Sequence, residues 1–238
     1  TVLVDGEGQH RAGRPEARFW PRPWDTPRPT GNDTRWASTP DYDCAVGTYR
    51  DGYGPKNDTA VTHTRRVLFV RGSRDEGRGT GDAAGAHPGP SPDPRPSSPY
   101  FLVVDTLSAA DDKLHRYEAL FHLDAEKVAQ DPKGGAVRTE NADASNLLLA
   151  PLMDAGTQVR IVKGQEEPVQ GWANGPWRPV PTAIVTREGK GTMHFVTLLL
   201  PVPKGQPVPT VAVEPVEAGE GAVAARIRFP DGRTHTFV

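Results

Sequence analysis

Short apolar runs separated by turn residues mark most of this chain. The clearest is Tyr100-Phe101-Leu102-Val103-Val104-Asp105, rich in β-branched and aromatic residues. A run of this length suits a buried strand, because helices usually need ten or more residues. A polar stretch from Thr106 to Lys113 follows, and a second strand is expected over Leu114 to Leu123. Side chains alternate faces in a strand. His115, Tyr117, Ala119 and Phe121 then share one face, and Arg116, Glu118, Leu120 and His122 the other. The spacing predicts a hairpin made of these two runs, and a hairpin needs further strands to be stable.

The flanking sequence supplies them. Strand patterns recur at Asp43 to Tyr49, Val61 to Arg71, Val137 to Glu140, Ser145 to Pro151 and Val159 to Lys163. They continue at Thr182 to Thr186, Met193 to Leu200, Thr210 to Val213, Ala222 to Phe229 and Thr234 to Val238. Gly, Pro, Asp and Asn break them at intervals of roughly ten residues, the spacing of a sandwich. No longer stretch carries helical periodicity. The expected fold is all-β: one domain over residues 1–238, a large two-layer antiparallel β-sandwich with long irregular loops.

Two stretches break the pattern. After His10, to about Trp36, the chain is rich in Pro and Arg, with Trp20, Trp24 and Trp36 among the prolines. Proline cannot donate to a strand ladder, so a long loop is expected. Its indoles have two uses, stacking on a sugar or packing the loop onto the sheet. Packing is the commoner use of so large an apolar area. Gly72 to Ser98 is almost free of apolar residues. It cannot bury enough surface to offset chain entropy and reads as a flexible insertion between two paired strands.

Composition adds limits. The chain has 238 residues, 36% hydrophobic and 24% charged, with 25 Gly and 25 Pro. That is enough for one large β domain or two small domains, and the proline excess suits many turns. A net charge of −2 gives no electrostatic case for nucleic acid or an anionic membrane. No run is long enough for a membrane-spanning helix. Cys44 is the single cysteine, so no intrachain disulfide and no cysteine-based zinc cluster can form. Thr1-Val2-Leu3-Val4 is already strand-like, and Asp5-Gly6 is a turn signal. A start in mid-strand leads us to expect the C-terminal part of a longer protein.

Catalytic signatures are sparse. There is no Gly-x-Ser-x-Gly elbow, no phosphate-binding loop and no His-Glu-x-x-His. His115 and Tyr117, two apart on one strand face, are the nearest to an acid/base pair. Packing beside Phe121 is the simpler role for both. His63, His122 and His194 admit the same simple role.

Several separated motifs resemble one family. Thr1-Val2-Leu3-Val4-Asp5-Gly6-Glu7-Gly8-Gln9 resembles a strand-turn of the heparinase II/III-like polysaccharide lyases. Arg65-Arg66-Val67-Leu68-Phe69-Val70 with Tyr100 to Asp105 looks like that family's next paired strands. His115-Arg116-Tyr117-Glu118-Ala119-Leu120-Phe121-His122 is similar to its following strand. Gly164-Gln165-Glu166, Gln170-Gly171-Trp172, Pro181-Thr182 and Thr197 to Pro201 match its C-terminal pattern.

The resemblance implies a C-terminal β-sandwich that follows an α-helical toroid. It implies cleavage of an acidic, uronic-acid-containing polysaccharide such as heparan sulfate or alginate by β-elimination. It implies a bacterial protein, periplasmic or secreted. The family's catalytic groups sit mainly in the toroid, so no catalytic residue is carried over. Gln9 and His10, at the end of the first turn, are expected to border the substrate cleft. The cofactor is left open: zinc, where the family binds it, is held by residues upstream of Thr1. A non-catalytic carbohydrate-binding or structural sandwich is the alternative, resting on Trp20, Trp24, Trp36, Trp172 and Trp177.

Overall fold

The computed structural model describes residues 1–9, 33–54, 61–72, 98–133, 135–173, 177–219 and 221–238. Every regular element among them is a strand, in the order β1 (Val2–Val4), β2 (Asp33–Ser38), β3 (Tyr42–Tyr49), β4 (Val61–Val70), β5 (Tyr100–Ala109), β6 (His115–His122), β7 (Val128–Gln130), β8 (Val137–Thr139) and β9 (Asn146–Pro151). Then follow β10 (Gln158–Val162), β11 (Trp172–Ala173), β12 (Arg178–Pro179), β13 (Thr182–Gly189), β14 (Thr192–Val202), β15 (Ala212–Val216), β16 (Ala224–Arg228) and β17 (Thr234–Phe237).

An eight-stranded sheet of order β2-β3-β4-β5-β14-β9-β8-β7 forms the middle of the molecule. A four-stranded sheet, β1-β6-β13-β10, covers one face, and a three-stranded sheet, β15-β16-β17, covers the other. All pairings are antiparallel. The all-β antiparallel sandwich is therefore present, and the third small sheet adds a layer to it.

Alternation along β4, β5 and β14 explains how one sheet serves two cores. Tyr100 and Leu102 of β5 and Val196, Leu198 and Leu200 of β14 meet Val211, Ala225 and Ile227 of the small sheet's side. Leu107 of β5 and Phe195 of β14 point the other way, onto Val2, Val4, Tyr117, Ala119 and Val185. A third cluster joins Leu123 and Ala183 to Val137 and Leu149. Period-two alternation places apolar residues on both faces of the same strands.

The expected hairpin of β5 and β6 does not form. β5 pairs with β4 and β14, whereas β6 pairs with β1 and β13. The connection instead crosses from the middle sheet to the four-stranded one, a gap of about 10 Å. β5 also runs on through Thr106 to Ala109, where a break was expected. Its polar positions are held from the neighbouring strand: Thr106 Oγ1 meets His194 Nδ1 at 3.1 Å and Ser108 Oγ meets Thr192 Oγ1 at 3.1 Å, while Leu107 is buried between them.

Asp33–Ser38 is a strand rather than loop, and its Trp36 is 69% exposed, so this indole does not pack the chain onto the sheet. It lies near the sheet's edge, where β2 has only β3 as a neighbour. Trp20, Trp24 and residues 73–97 of the expected insertion lie outside the described residues. The strands on either side of that insertion do pair, in register from Val61↔Ala109 to Val70↔Tyr100.

Candidate functional site

The first turn positions the site. Asp5 (φ 52°) and Gly6 (φ 81°) both take the left-handed conformation, and Val4 and Glu7 exchange amide–carbonyl bonds of 3.0 and 2.9 Å. That is the geometry an Asp-Gly tight turn provides. It turns the chain back so that Gln9 forms an isolated bridge with Tyr53.

A pocket of about 290 Å³ opens there, lined by Thr1, Gln9, Thr48, Tyr49, His63 and Arg65 among others. Its floor is a polar relay built on facing strands. Arg65 of β4 lies directly opposite Asp105 of β5. Arg65 Nε donates to Asp105 Oδ1 at 2.6 Å and Arg65 Nη2 to Oδ2 at 2.9 Å. His63 Nε2 meets the same Oδ1 at 2.7 Å, and Gln9 Nε2 stands 3.3 Å from His63 Nδ1. With the Gln9 amide as donor, Nδ1 accepts and the Nε2–H donates to Asp105, which fixes the tautomer.

Asp105 is 1% exposed and His63 5%. Burial opposes ionisation of Asp105, but the hydrogen bonds from His63 and Arg65 and the nearby guanidinium hold its carboxyl below the usual range. Arg65 is partly open to solvent, at 32% exposure. Its Nη1 takes no part in the carboxylate pair. Tyr53, bridged to Gln9, is fully buried. Burial pushes that phenol up.

Chemically, this arrangement suits holding and orienting polar groups. Both ring nitrogens of His63 are engaged, Nε2 with Asp105 and Nδ1 with Gln9. Among the described residues, no group of three or more His, Cys, Asp or Glu is placed to hold a metal ion. Gln9 and Arg65 line the pocket, and the Arg65 Nη1 is not used by Asp105.

Of the residues expected to border a cleft, Gln9 lines this pocket, and His10 lies outside the described residues. His115 and Tyr117 are together but away from solvent. His115 Nδ1 meets Asp5 Oδ2 at 2.7 Å and its Nε2 meets Asp111 Oδ1 at 2.8 Å. Burial disfavours the imidazolium, yet the two carboxylates overcome it and raise the pKa above 6.5. The Tyr117 phenol is pushed up to about 12, chiefly by burial. An imidazole with both nitrogens held by carboxylates and a buried phenol are not free to act as an acid/base pair. They tie the first turn to β6. His122 is exposed at the end of β6, and His194 bonds to Thr106.

Asp105 and Arg65 were not marked as site residues by the sequence. The available signal was one carboxylate ending an apolar run: a buried charge needs a partner, and Arg65 is in the strand that pairs with it.

No family model matches the chain, and no curated protein matches it. Solved structures do. The heparan sulfate lyase HepC from Pedobacter heparinus aligns with a TM-score of 0.57 at 17% identity. A heparinase III gene product aligns with a TM-score of 0.58 at 14% identity, and a further heparinase III structure with 0.57 at 13%. The fold is that of a heparinase-like β-sandwich. Each alignment covers 87% of this chain and 27% of the matched one, so the chain spans about a quarter of the length of those structures. In this heparinase-like sandwich the Gln9–His63–Asp105–Arg65 relay joins the turn after the first strand to the middle sheet.

Proposed function

We propose that this chain is the C-terminal β-sandwich of a polysaccharide lyase that cleaves uronic-acid-containing polysaccharide by β-elimination. Its Gln9 and Arg65 pocket borders the substrate cleft, opposite an α-helical toroid that precedes it. The observation that carries this reading is the alignment with heparan sulfate lyase and heparinase III structures over 87% of the chain. The pocket's chemistry agrees with it. β-Elimination removes the proton at C5 of a uronate, and this requires donors that stabilise the charge developing on the carboxylate. Gln9 and Arg65 are donors held in place by buried partners, and preorganised donors need no rearrangement as charge develops.

The base that takes the C5 proton and the acid that protonates the departing glycosidic oxygen come, in this proposal, from the toroid. The substrate is acidic polysaccharide, and the site of action is the periplasm or the medium. No helix among the described residues is long and apolar enough to cross a membrane.

An ultraviolet assay for the unsaturated uronate tests the reading. The chain joined to its encoded upstream region is expected to generate signal from heparan sulfate or alginate, and the 238-residue chain alone none. Signal from the chain alone, or no signal from the joined protein on any uronate polymer, contradicts it.

A further inference from the structure

A second feature of the surface lies away from the pocket. Trp172 and Trp177 stack with centroids 5.2 Å apart and planes within 6° of parallel. Trp172 is fixed from below: its Nε1 donates to Gln165 O at 2.9 Å, and Gly164 lies against its ring edge. Trp177 is 62% exposed, so one indole face rests on Trp172 and the other is open. Aromatic pairs in a core usually meet edge-on or offset and buried. Here a large apolar area is spent on an outward-facing, rigid plane.

The ions beside the rings are already engaged. Arg178 pairs with Asp124, and Lys163 Nζ donates to Glu126 O at 2.8 Å. An open, rigid indole face suits the apolar face of a ring that carries its polar groups at the rim, which describes a pyranose.

Strand order fixes where this platform lies relative to the pocket. The Trp hairpin, β11–β12, is inserted between the end of β10 at Val162 and the start of β13 at Thr182. Val162 pairs with Thr182, and Thr182 with His122. Thr1, which lines the pocket, exchanges backbone bonds with Leu120 two residues before His122. Pocket and platform thus share one end of the four-stranded sheet, at its β1 and β10 edges. Three strand spacings separate those edges, about 15 Å.

We propose that Trp177, backed by Trp172, is a stacking subsite for a pyranose of a glycan chain whose nearer residues reach the Gln9 pocket. The choice of a glycan rests on the function proposed above; the platform geometry does not. Binding at the subsite adds affinity only for chains long enough to span both places, with weak dependence on salt because the ring face carries no charge.

Equilibrium binding tests it, with heparan sulfate and alginate oligosaccharides from disaccharide to octasaccharide titrated into the 238-residue chain and read by tryptophan fluorescence and calorimetry. Affinity is expected to rise with length in the unaltered chain. Trp177→Ala is expected to remove roughly tenfold from the octasaccharide affinity and little from the disaccharide. Trp177→Phe should restore part of the loss, as a structural role for the indole alone would not. Equal octasaccharide binding by the unaltered chain and Trp177→Ala overturns the proposal. Trp177-dependent binding by the chain, with no uronate elimination by the protein joined to its upstream region, supports the subsite and removes the lyase reading; elimination by the joined protein with Trp177-independent binding by the chain does the reverse.

Discussion

Asp105 shows how much one residue organises. It is an almost fully buried carboxylate that accepts from His63 and Arg65, and through His63 it is linked to Gln9. Such a group is costly to bury unless its lone pairs are used; both of its partners come from β4, and Gln9 of the first turn joins through His63. His115 is a second case, held between Asp5 and Asp111. Its folded pKa lies above 6.5. A group with a raised folded pKa binds its proton more tightly when folded, so its contribution is complete below 6.5 and is lost as pH rises through the folded value. The midpoint of thermal unfolding is therefore expected to fall from mildly acid to alkaline pH on this account. His115→Gln should flatten that part of the profile; an unchanged pH dependence in the variant would show that His115 does not carry it. The sequence placed His115 and Tyr117 on one strand face, as they are. It could not show that Asp5 and Asp111 close on the imidazole, because those contacts come from turns at the strand ends.

At the scale of elements, strands were more legible than their partners. The apolar runs at Val61, Tyr100, Thr182 and Met193 all became strands, since alternation and β-branched residues identify them locally. Pairing is a long-range property, and β5 and β6, adjacent in sequence, enter different sheets. Short strands such as β7, β11 and β12 were not visible, having too few residues for a period to register. β2 was hidden by the proline-rich stretch before it. The β11–β12 hairpin makes its own demand. Gly171 has φ +77°, and a Cβ there would come within 2.9 Å of Gly164 N and Lys163 Cα. Those are backbone atoms and cannot turn aside. Gly171→Ala is expected to lower stability by about 2 kcal/mol and to disturb the Trp172–Trp177 stack. Denaturant unfolding and tryptophan fluorescence would check both; a variant as stable as the parent with unaltered emission would contradict the close approach.

The middle sheet carries a smaller sheet against each face, and its polar relay sits on β4 and β5 where the first turn meets them. Both cores draw on β5 and β14, so the strands that carry Asp105 and His194 are also those that hold the layers together. A site on such strands is rigid, which suits orienting a substrate better than closing over it. The sequence indicated the sandwich and the turn that bears Gln9. It did not indicate the third layer, because a short C-terminal run of strands reads the same whether it extends a sheet or covers one. The most direct measurement is the rate of unsaturated-uronate formation by the protein with its upstream region, with Gln9 intact and with Gln9→Ala. The account predicts a fall of about tenfold in kcat/KM with the fold unchanged, as expected for one donor to a charged group. An elimination rate that Gln9→Ala leaves untouched would contradict it.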